Sequence, residues 1–270
     1  MRGLELRVGA VLVTLVVAAA LLSRFWTPYD PTMPAGARLQ PASAAHPLGT
    51  DAFGRDLLSR LLAGAQSTVY VGVIAVGIAV LIGVPLGLWA AQLPGRASEV
   101  LLRATDVAQA FPALLLAILL AGLFGGSTET AMVAIGLASI PQFLRVARAG
   151  ALQVLASDFV LAARACGIGR LAIARTHVLP NIAPLVGVQA TVSFALAILA
   201  EAALSYLGLG TRPPTPTWGS MLQQAQSVWF AHPEQAVIPG VAIAVAVLGF
   251  NLLGDGLREH LDPRLREEVA

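Results

Sequence analysis

The side chains able to do chemistry are few, and their spacing narrows what they do. All seventeen basic Lys+Arg positions are arginine. Without a lysine, a P-loop has no ammonium group to reach a nucleotide's phosphates, so the chain is not itself an ATPase of that kind. His46 and His232 stand near Asp51, Asp56 and Glu234, but no combination has metal-ligand spacing, and solvated loop residues are the expected reading. The single cysteine, Cys166, excludes an internal disulfide and a cysteine-only metal cage. Gly167-x-Gly169-x-x-Ala172 mimics a dinucleotide fingerprint, yet no strand precedes it and no acidic residue follows at the required offset. No serine elbow or triad pattern occurs. What remains is a basic, interrupted stretch, DFVLAARACGIGRLAIARTHVLPN from Asp158 to Asn181, and the polar residues Gln189, Ser193 and Glu201 in the apolar run behind it.

The elements that position these residues are set by lipid. Hydrophobic residues make up 57% of the chain and charged residues 12%, about half the usual share in soluble domains. Apolar stretches of near-spanning length cover 8–26, 68–91, 107–124, 130–147, 182–204 and 236–254. Pro112 and Pro141 predict kinks in the third and fourth. The first reads as an uncleaved helix, because no clean small-x-small cleavage site follows it and Trp26 and Tyr29 sit where an interfacial aromatic belt belongs. With the N-terminus inside, twelve of the seventeen arginines fall on the cytoplasmic side, which makes both termini and the 158–181 stretch cytoplasmic. Outside, Phe53, Leu57, Leu58, Leu61 and Leu62 predict an amphipathic helix on the membrane surface. The glycines and prolines of GLGTRPPTPTWG rule out a continuous helix there. The arginines form no stripe with aromatics, so a nucleic-acid partner is not expected.

Within the basic stretch, 158–166 predicts a helix that Gly167 stops, and 170–178 a second one ending at Pro180. Taken alone, the pair is equally a docking element or an ordinary basic loop. Ala162-Ala163, Gly167 four residues on, and HVLP at His177–Pro180 resemble the coupling loop of permease subunits of ABC importers. HPLGTDAFGRDLLSRLLAG, RATDVAQAFPALLLAI, LSYLGLGTRPPTPTWGSML and FNLLGDGLREHLDPRL extend the likeness to the second permease subunit of the dipeptide, oligopeptide and nickel importers. The resemblance implies an all-α, six-span MetI-like permease in the inner membrane. It also implies a similar permease as partner, two ATPases holding ATP and Mg, an external substrate-binding protein, and no cofactor in this chain. Asp158, Ala162, Ala163, Gly167, His177, Leu179 and Pro180 become the ATPase-coupling candidates. Many such permeases carry glutamate before the paired alanines. Leu161 stands there instead, and Asp158 is one turn earlier on the same face.

That frame divides the chain into 1–66, a first helix and outer segment; 67–257, a five-helix core with the coupling loop at 158–180; and 258–270, a cytoplasmic tail. The fifth span joins the coupling loop to the outer segment, so Gln189, Ser193, Glu201 and Trp218 are the candidates for passage or gate. Gln189 and Ser193 equally suit interhelical hydrogen bonds, and Glu201 equally suits snorkelling to the interface. Gly83-x-x-x-Gly87 predicts close approach of another helix. Asp106 is expected to pair with Arg103. Peptides are the expected cargo, with nickel, glutathione or another small solute as alternatives. A stand-alone secondary transporter is the rival class, but no carboxylate sits at mid-depth in the kinked spans.

Overall fold

The computed structural model describes residues 3–261, and every regular element among them is helical. α1 (Leu4–Phe25), α2 (Leu57–Gln92), α5 (Thr128–Leu155) and α10 (Glu234–Leu261) are single long helices. α8 (Leu179–Tyr206) is extended backward by α7 (Arg170–Ile173) and a π turn over Ala174–Val178 into one helix of 37 residues. These five are each long and apolar enough to cross a hydrocarbon core of about 30 Å.

The third expected span takes another form. α3 (Gly95–Ala110) and α4 (Ala113–Phe124) meet at Phe111-Pro112 with a bend of 75°. The proline ring drives the residue before it out of helical geometry, and the chain turns there. Residues 107–110 therefore close α3, and the bent pair of α3 and α4 together is long and apolar enough to count as a sixth span. The 12 residues of α4 cover about 18 Å, too little to cross alone. α3 is pinned to its neighbours by side chains. Ser98 Oγ donates to Ala90 O at 3.0 Å and accepts from Arg148 Nε at 3.1 Å. Asp106 pairs with Arg145 of α5, while Arg103 turns back to Glu99 at 3.0 Å. The expected Asp106–Arg103 pair is thus replaced by one that ties two helices together. α5 itself runs through Pro141 as one helix.

The close approach expected at Gly83 and Gly87 is present, and the neighbour is α5. A Cβ on Gly83 would lie 2.7 Å from Phe143 Cβ; one on Gly87 would lie 2.5 Å from Leu144 O. α1 is peripheral, with only Gly9, Val16 and Ala20 buried, and packs along α10. Its first half meets the last turns of α10, since Gly9 abuts Leu253 and Gly256 abuts Leu6. This end of the bundle also holds the end of α2, the start of α3 and the 158–178 segment. This is the basic end of the bundle.

At the opposite end no helix lies along the surface before α2. Residues 27–56 are irregular, and Leu57–Leu62 are the first turns of α2 itself. Asp56 fixes that start. Its carboxylate accepts from Ser59 N at 2.8 Å and Ser59 Oγ at 2.7 Å, and its other oxygen lies 2.9 Å from His46 Nδ1. An N-cap this good lets the helix begin abruptly, so the amphipathic pattern continues into the span instead of lying beside it. The 66/67 boundary consequently falls inside α2 and the 257/258 boundary inside α10; residues 262–270 of the expected tail lie outside the described residues.

Candidate functional site

The basic stretch folds as α6 (Asp158–Ala165), a turn, and then the long helix that becomes α8. α6 ends as its sequence dictates. Gly167 has φ +81°, Gly167 N donates to Arg164 O at 2.9 Å, and Ile168 N to Ala163 O at 3.1 Å. That pair of bonds is a Schellman cap, whose left-handed position suits glycine. The helix has two sides. Val160 and Ala163, 0% and 8% exposed, face inward, Val160 belonging to the buried cluster that also holds Phe143, Ala147 and Ala151 of α5, Ile173 and Val178. Asp158, Phe159, Leu161, Ala162, Arg164 and Cys166 are exposed. Asp158 and Leu161 do share the outer face with Ala162. Of the paired alanines, Ala162 belongs to the surface and Ala163 to the chain's own packing.

The second half of the stretch departs from the expected helix-turn-helix. Leu179-Pro180 reads as a boundary, yet the helix passes through it. Leu179 N donates to Ala174 O, five residues back, in a π turn. An α turn would bring the Pro180 ring against a carbonyl, and the wider turn accommodates it. Leu179 and Pro180 are exposed on this continuous helix. His177 ties it to α6: its ring stacks on Phe159 with centroids 6.2 Å apart, and its Nδ1 lies 2.7 Å from Thr176 Oγ1. The result is a compact basal unit whose second limb is rigidly continuous with α8.

Of the two roles open to Gln189 and Ser193, hydrogen bonding inside the chain is the one their surroundings in this structure fit. Gln189 is half-buried and donates to Ser193 Oγ at 3.2 Å and Gln142 Oε1 at 3.4 Å. Ser193 is buried, as are Ala197 and Glu201 one and two turns beyond. Glu201 is 1% exposed and accepts from Ser205 Oγ at 2.7 Å. It does not snorkel. Trp218 is 3% exposed, seated on Gly64, with its indole Nε1 donating to Leu61 O at 2.9 Å. Gln189 thus ties α8 to α5, and Trp218 ties α9 (Trp218–Ala225) to α2. The free face of α8 is instead Leu185, Leu196 and Leu199, a row that sequence polarity could not flag. His46 and His232 are taken up by single carboxylates, Asp56 and Glu234.

A family model described as the inner membrane component of binding-protein-dependent transport systems matches residues 83–267. The chain belongs to that family. This permease is 40% identical to the di/tripeptide transport system permease protein DppC of Pseudomonas aeruginosa, over 96% of this chain and 88% of that one. It is also 40% identical to the dipeptide transport system permease protein DppC of Alkalihalophilus pseudofirmus, over 96% of this chain and 86% of the other. The glutathione transport system permease protein GsiD of Pectobacterium atrosepticum is 37% identical, with the same coverage of 96% and 86%. A solved inward-facing structure of the MetNI methionine ABC transporter aligns with 78% of this chain and 96% of that chain, with TM-score 0.59 at 17% identity. The fold is therefore that of the MetI-like ABC permeases. The family match begins inside α2, so α1 and the outer irregular segment stand apart from it.

Proposed function

We propose that this permease is one of two membrane subunits of an ATP-driven importer of di- or oligopeptides, and that α6 is the element its ATPases grip. The carrying observation is the two-sided α6. Its inner side is packed on α5, and its outer side presents Phe159, Leu161 and Ala162 between Asp158 and Arg164, uncovered by the described residues. A push on α6 reaches α8 through the Phe159–His177 contact and the unbroken π-turn helix, then runs the length of the bundle. ATP and Mg would be held by two cytoplasmic ATPase subunits. A second, similar permease would meet the free face of α8, and an external binding protein would deliver cargo.

The arginine bias supports a basic end in the cytoplasm, hence cytoplasmic termini and an inner-membrane location. Three relatives named for dipeptides, di/tripeptides and glutathione, itself a tripeptide, support short peptides as cargo. The tagged chain is expected to bring a second permease and P-loop ATPases out of its own membranes, with vanadate-sensitive ATP hydrolysis confined to that complex. ATP hydrolysis by this polypeptide freed of them would contradict the reading. Loss of the chain is expected to abolish uptake of a labelled dipeptide; undiminished uptake alongside an intact complex would overturn the cargo alone.

A further inference from the structure

A cavity of about 500 Å³ opens at the basic end between the last turns of α2 and the α7–α8 helix, and of the coupling candidates Leu179 lines it. Its walls are apolar, Val84, Leu88 and Leu179 among them. Its mouth carries Gln92, Arg170 and Arg175. From Gln92 to Val84 is eight residues along α2, about 12 Å along the helix axis. Trp89, 55% exposed, lines it one turn before Gln92, and amphipathic rings of this kind collect at membrane–water interfaces. Both arginines are exposed, and among the described residues neither has a carboxylate within ion-pairing distance. Uncompensated guanidinium groups over a hydrocarbon slot have the charge and shape of one ligand class.

We infer that this cavity is a binding site for an anionic phospholipid, one acyl chain lying along α2 and the phosphate held between Arg170 and Arg175. An apolar slot at this depth is filled by a lipid tail whatever the headgroup. The selectivity comes from the arginines. A zwitterionic lipid would bring its own cation to the same two guanidinium groups, and an anionic one does not. Bound there, the lipid would brace α7 against α2 and stiffen the basal unit where it joins α8.

The test is native mass spectrometry of the purified full-length chain titrated with phosphatidylglycerol or phosphatidylcholine. Two interfacial arginines predict a preference for phosphatidylglycerol of roughly ten- to thirty-fold. The double variant Arg170→Gln/Arg175→Gln is expected to lose it, and Arg164→Gln, whose arginine lies outside the cavity, to keep it. No preference in the wild type, a preference surviving the double variant, or equal loss in Arg164→Gln overturns the site. A second measurement needs no arginine variant. Phosphatidylglycerol with brominated tails is expected to quench the emission that disappears in Trp89→Phe more strongly than brominated phosphatidylcholine does; equal quenching overturns the site. If the lipid is displaced when the ATPases assemble, the arginines belong to a protein interface and the inference fails.

Discussion

Gly87→Val is expected to leave little folded permease in the membrane. The added Cβ would lie 2.5 Å from Leu144 O, 2.8 Å from Ala147 Cβ and 3.0 Å from Arg148 N. Two of those three atoms are backbone and have no rotamer to move, so α2 and α5 must separate. Overpacking of a rigid contact costs about 3 kcal/mol at the upper end of what cores tolerate, and here it strikes the most extensive helix pair of the fold. Gly77→Ala in the same helix is the control, because a Cβ there meets nothing within 4 Å. It is expected to be neutral or slightly stabilising, since alanine is the better helix former. Thermal-melt midpoints in detergent separate the two; equal midpoints would mean that α2 and α5 do not pack through this face.

The second large effect is expected on ATPase binding. Ala162→Trp places a bulky ring on the outer side of α6 without touching the chain's own packing, and retention of ATPases in pull-down is expected to fall at least tenfold, about 1.4 kcal/mol. Gly167→Val acts by a different route. A Cβ on Gly167 has open space, but φ +81° strains a β-branched residue by roughly 1–3 kcal/mol and unwinds the cap. Asparagine, which tolerates the left-handed region, is expected to retain more binding than valine. Ala163→Glu is a poorer probe, because at 8% exposure Ala163 would disturb α6 before any partner arrived. Undiminished pull-down with both Ala162→Trp and Gly167→Val would remove α6 from the interface.

Much of this architecture was legible in the residues because each signal was local. Gly167 stops α6 through its own dihedral angle, Gly83 and Gly87 mark a close helix contact by lacking Cβ atoms, and Pro112 breaks the third apolar stretch. The misreadings share one cause, which is that tertiary context decided among locally equivalent choices. Leu179-Pro180 looked like a boundary, and a π turn carried the helix through it. Leu57–Leu62 looked like a surface helix, and the Asp56 cap made it the start of a span. Polar residues in an apolar run leave water and hydrogen bonding equally open, and Ser193 and Glu201 are buried within the chain. In lipid, an interior polar contact and a water-lined face give the same sequence pattern, and only packing tells them apart.

The chain carries its own probe of the α6 surface. Cys166 is its single cysteine, exposed and unpaired at the cap of α6, beside the surface assigned to the ATPases. The rate at which a small water-soluble maleimide modifies Cys166 should be measured in the purified chain and again in the assembled importer. Rapid modification of the chain alone and strong protection in the complex is the predicted result. The same rapid rate in both, with the ATPases demonstrably bound, would show that they grip the permease somewhere other than α6.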